Sequence, residues 1–126
     1  MSLRTPLAQV RGLGSAQEGA HHWWMQRITA GMLIPLFIWF VGTMVVLVTG
    51  SHAEALEFFR SPIAAGASLM LIIAIFYHAA LGLQVVIEDY VSAEGARIFA
   101  IVVMRFVMIL LTAISVVSVF SVAVGG

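Results

Sequence analysis

Three long stretches of this chain carry almost no charge: residues 28–49, 61–87 and 98–124, the last broken only by Arg105. At about 1.5 Å rise per residue, roughly 20 helical residues cross the roughly 30 Å hydrocarbon core of a bilayer, so each stretch can span it with some tilt. Lipid offers no water to an unpaired backbone N–H or C=O, and a short apolar segment satisfies all of its own groups only as a helix. The connections, Gly50 to Arg60 and Glu88 to Arg97, are short and favour antiparallel neighbours. The expected fold is therefore all-α: an integral membrane protein whose three transmembrane helices, about 28–49, 61–87 and 98–124, form an up-down-up bundle. A single membrane domain covers residues 1–126, with residues 1–27 as an amino-terminal segment on the cytoplasmic side.

Composition excludes the main alternatives. With 62% hydrophobic and 10% charged residues, and six Arg but no Lys, the chain cannot coat a water-soluble sphere of its size. The net charge is zero and the Arg residues are scattered, so there is no basic stripe for nucleic acid. Without Cys the chain forms no disulfide, thiolate zinc site or iron–sulfur ligation, and any metal-bound electron carrier must rest on His. Residues 1–20 lack the apolar core of a secretory signal, so no cleaved targeting peptide is expected.

Local signals refine the spans. Ser61-Pro62 predicts a helix start, with Ser61 as N-cap and a proline at the first helical position, where its missing N–H is not needed. Pro35 inside the first span frees the carbonyl of Gly31, which either kinks the helix or is tolerated. Arg4, Arg11, Arg27 and Arg97 fall on the amino-terminal side against Arg60 alone on the other, which places the amino terminus in the cytoplasm.

Of the four His residues, only His78 lies deep in a span. An imidazole there is either polar glue between helices or a functional group. Ala74 and Gly82 lie one turn to either side on the same face, leaving room for a flat macrocycle or for close helix packing. Asp89 is eleven residues from His78, which returns to nearly the same face about 16 Å away. Asp89 and Tyr90 offer a carboxylate and a phenol near the interface, suited to a quinone that must gain protons, or to an interfacial aromatic belt. Arg27 is either a topological anchor or a bidentate partner for an anion. Arg105, about seven residues into the third span, is expected to snorkel back to the cytoplasmic interface.

Two segments carry a family resemblance. His78-Ala79-Ala80-Leu81-Gly82-Leu83-Gln84, running on to Asp89-Tyr90, and His21-His22-Trp23-Trp24-Met25-Gln26-Arg27 ahead of the first span resemble the D-type hydrophobic membrane anchor of succinate dehydrogenase. The sister cytochrome b556 anchor has a different continuation after H-x-x-x-G, where this chain has Gln84-Val85.

The resemblance implies a four-subunit complex: a flavoprotein oxidises succinate, an iron–sulfur subunit relays electrons, and two anchors hold haem b and ubiquinone in a bacterial inner membrane. His78 then matches the haem axial ligand, with the second ligand from the cytochrome b556 anchor subunit. Tyr90 and Asp89 match ubiquinone-site residues, and Arg27 and His21 match basic residues near the haem propionates or quinone pocket. This chain would carry no succinate chemistry itself. The alternative is a haem-free structural anchor with His78 as packing glue. A transporter ranks behind both, because no acid lies within a span.

Overall fold

The computed structural model describes residues 14–125. Four helices follow in order: α1 (Gly14–Leu47), α2 (His52–Arg60), α3 (Pro62–Tyr90) and α4 (Glu94–Ala123). The three long helices each contain an apolar window able to cross a membrane, so the chain is an all-α, multi-pass membrane protein. Arg4 and Arg11, two of the charges that orient the chain, lie outside the described residues, as does most of the segment expected to hold no targeting peptide.

α1 begins well before the span expected from residue 28 and runs unbroken through Pro35. Its 34 residues reach about 51 Å, so the first turns extend beyond a single hydrocarbon core. The charge-based boundary at residue 28 marked entry into lipid rather than the start of the helix.

The connection after α1, outside the three expected helices, contains α2. Ser51 Oγ accepts a hydrogen bond from the Glu54 amide at 3.2 Å, and Glu54 Oε2 accepts one from the Ser51 amide at 2.7 Å. This reciprocal capping box satisfies two otherwise orphaned donors and makes nine polar-flanked residues helical. Gly50 precedes it because a Cβ there would strike the Glu54 carboxylate. Phe58 stacks on Trp39 with ring centroids 6.4 Å apart, which ties α2 to α1.

A single residue joins α2 to α3. The Ser61 amide donates to Phe58 O at 3.2 Å, closing α2, while Ser61 Oγ accepts from the Ala64 amide at 3.3 Å, opening α3. Pro62 holds Ser61 in extended backbone, φ −64° and ψ 141°, which sets the change of direction. The expected cap is thus present. α3 ends at Tyr90, α4 starts at Glu94, and Gly125 terminates the fold with a positive φ of 85° that a side chain would resist.

α3 lies in the middle, with α1 and α4 both packed on it. The buried residues cluster accordingly: Ala64, Ala65, Ser68, Leu71 and Ala74 on α3, with Thr29 from α1 and Met104 from α4. Small side chains let the backbones approach, as helix pairs in lipid require. Among the described residues no large side chain is fully buried, and most Val, Ile and Phe side chains of α1 and α4 face outward.

Candidate functional site

α3 carries two polar faces, and the 100° turn per residue keeps them apart. His78, Gly82 and Asp89 recur at spacings of four and eleven, within about 40° of one another, whereas Gln84 and Glu88 lie about 240° and 280° round from His78. The first face meets α1 and the second opens beside α4.

On the first face, His78 Nδ1 lies 3.0 Å from Thr29 Oγ1 of α1. Thr29 is only 5% exposed, so this contact is held inside the helix pair. Gly82, one turn on, leaves space for the Gln26 side chain, whose Nε2 would sit 3.8 Å from an added Cβ. The clearance expected beside His78 is therefore used by α1 at Gly82, while Ala74 on the other side is 3% exposed. His22, Gln26 and Thr29 follow one stripe of α1, at spacings of four and three. His22 Nε2 and Gln26 Oε1 on that stripe are buried, and neither has a hydrogen-bond partner among the described residues.

On the second face, Arg105 Nη2 donates to Gln84 Oε1 at 2.8 Å, and Gln84 Nε2 donates to Glu88 Oε1 at 2.9 Å. Arg105 therefore does not snorkel freely to the interface. An acceptor on the neighbouring helix stands within reach, and the i,i+4 partner Glu88 orients that amide. These groups line an open cleft of about 1200 Å³ together with His21, His22 and Tyr77. A double-mutant cycle with Gln84→Leu and Arg105→Met is expected to give a coupling near 0.6 kcal/mol, the usual size for such bonds in a membrane. Denaturant titration in detergent reads it directly.

The remaining residues lie toward the end of the bundle where α3 closes. Tyr90 closes α3 and is 84% exposed, and Asp89 beside it is exposed too. The Arg27 guanidinium sits over the Trp23 ring, 5.2 Å from its centroid, and Trp23 meets Trp24 edge-on at 5.1 Å. Arg27 is two residues from Thr29, about 200° round the helix, and so points away from α3. His21 is exposed at the cleft, whereas the adjacent His22 is the half-buried one. The chain thus brings His78 to Thr29 and gathers His21 with Gln84, Glu88 and Arg105. It does not enclose Tyr90, Asp89 or Arg27.

Three lipid-length helices, a mid-span imidazole held against a neighbouring helix, and polar residues left open at one end define a multi-pass membrane protein. Residues 1–114 match the succinate dehydrogenase/fumarate reductase transmembrane subunit family. The chain belongs to that family. It is 33% identical over 117 residues to the succinate dehydrogenase hydrophobic membrane anchor subunit of Rickettsia bellii, covering 93% of this chain and 94% of the relative. The corresponding subunit of Paracoccus denitrificans is 31% identical over 104 residues, 78% of each chain. The succinate dehydrogenase membrane anchor subunit of Reclinomonas americana is 28% identical, over 74% of this chain and 80% of its own length.

Proposed function

We propose that this chain is the D-type membrane anchor of a bacterial succinate dehydrogenase, sharing haem b and a ubiquinone site with a cytochrome b556 anchor subunit. Electrons would come from an iron–sulfur subunit served by the flavoprotein. The observation that carries the haem reading is His78: a half-buried imidazole in mid-span, its Nδ1 engaged across the helix pair.

The residues fit a haem in their donor chemistry. His78 would hold the iron through Nε2, the nitrogen turned away from the Thr29 contact. When bound between two imidazoles, a low-spin haem supplies a one-electron relay. Arg27 and His21 would meet propionates or the quinone pocket with positive or hydrogen-bonding groups. Tyr90 would donate its phenol hydrogen to a ubiquinone carbonyl, and Asp89 would hold or pass a proton at the water interface. Both side chains are open on this chain because the rest of that pocket belongs to neighbouring subunits.

Arg27, just ahead of the charge-free part of α1, and Arg97, in the first turn of α4, lie opposite Arg60 at the end of α2. That asymmetry supports a cytoplasmic amino terminus in the inner membrane. The Thr29 bond and the Gln26 side chain over Gly82 favour one competing reading, a haem-free anchor in which His78 only joins helices. Affinity purification of the tagged chain in mild detergent separates the two. The leading reading expects co-purifying flavin and iron–sulfur subunits together with a reduced-minus-oxidised b-type spectrum. The same partners without that spectrum would leave the structural anchor, and neither would overturn both.

A further inference from the structure

Four hydroxyl side chains within the long helices return to the carbonyl four residues back: Thr29 to Met25 O at 2.7 Å, Ser68 to Ala64 O at 2.7 Å, Thr112 to Met108 O at 2.7 Å and Ser118 to Ile114 O at 2.8 Å. Each therefore commits its single hydroxyl proton to its own helix. Thr29 alone among these four also reaches a side chain on another helix, His78 Nδ1 at 3.0 Å. A hydroxyl has one proton and two lone pairs, so with the proton directed to Met25 O it can only accept from His78. A second carbonyl, Gln26 O at 3.2 Å, reinforces that direction.

We infer that Thr29 is a positioning residue that fixes His78 in the Nδ1–H tautomer and leaves Nε2 with a free lone pair for iron. The inference rests on the haem reading above but makes a statement about this chain's own hydrogen bond. An imidazole with Nδ1–H donated to a fixed oxygen is restrained in ring rotation and made more basic at Nε2, which is how outer groups tune a metal ligand. The opposite arrangement, Thr29 donating to a bare Nδ1, would put the proton on Nε2 and close it to the metal. It would also leave the Met25 carbonyl contact at 2.7 Å without a hydrogen.

Thr29→Val keeps the shape and removes the acceptor, whereas Thr29→Ser keeps the hydroxyl. The first measurement is solid-state nitrogen NMR of the histidine-labelled full chain in bilayers without haem, with His78 assigned by difference against His78→Leu. His78 should carry its proton on Nδ1 in the wild type and in Thr29→Ser, and should mix tautomers in Thr29→Val. The second is made on the purified complex, where Thr29→Val should raise the haem midpoint potential and weaken haem retention about 10-fold, with Thr29→Ser near wild type. An Nε2–H wild-type tautomer, or a Val variant matching wild type in both tautomer and potential, would overturn the inference. A b-type spectrum that survives His78→Leu would instead remove the haem reading, with the NMR result still reporting the bond itself.

Discussion

In the purified complex, His78→Leu is expected to abolish the low-spin b-type absorbance while leaving the subunits together. Leucine fills much of the imidazole's volume and suits lipid, and Thr29 keeps its bond to Met25 O, so the α1–α3 contact loses one partner without stranding a donor. What disappears is the imidazole of the only His that sits deep in a span. His21, His22 and His52 lie toward helix ends and cannot replace it. Visible difference spectra, normalised to total protein, check this outcome. Quinone reduction need not fall in step if electrons pass to quinone directly from an iron–sulfur centre. Undiminished b-type absorbance would return His78 to packing alone.

The second large effect belongs to Tyr90. Tyr90→Phe is expected to lower ubiquinone reductase kcat/KM about 100-fold, the usual cost of removing one well-placed donor from a reacting oxygen. Because the side chain is 84% exposed at the end of α3, the ring supports little packing and the variant should assemble normally. Succinate oxidation with an artificial acceptor should be unchanged, which isolates the quinone end. Asp89→Asn, beside it, should slow the same reaction and shift its pH profile if the carboxylate handles protons. Equal ubiquinone activity in Tyr90→Phe and wild type would place that tyrosine in the interfacial aromatic belt.

The three spans were legible because charge avoidance over more than twenty residues has no other physical outcome in a bilayer. Ser61-Pro62 was legible because a cap and a proline each constrain backbone locally, and His78 because ionisable groups stand out in an apolar run. α2 fell outside the expected helices on account of its charges, although Ser51 and Glu54 at capping-box spacing were visible signals. Thr29 could not be paired with His78 from spacing, since the contact depends on how two helices rotate against each other. Arg105 was assigned to snorkelling for the same reason: Gln84, its acceptor, lies 21 residues away on a neighbouring helix. Tyr90, Asp89 and Arg27 are exposed, and no described residue encloses them.

The scarcity of buried side chains has a consequence for supply in the cell. With only a handful of residues buried around α3, the free subunit packs few side chains against one another, and His22 Nε2 and Gln26 Oε1 find no hydrogen-bond partner among the described residues. Mass action then makes persistence depend on encounter with other subunits, since whatever binds only the folded form stabilises it. Copies made in excess of their partners then spend longer unassembled and are the ones open to proteolysis.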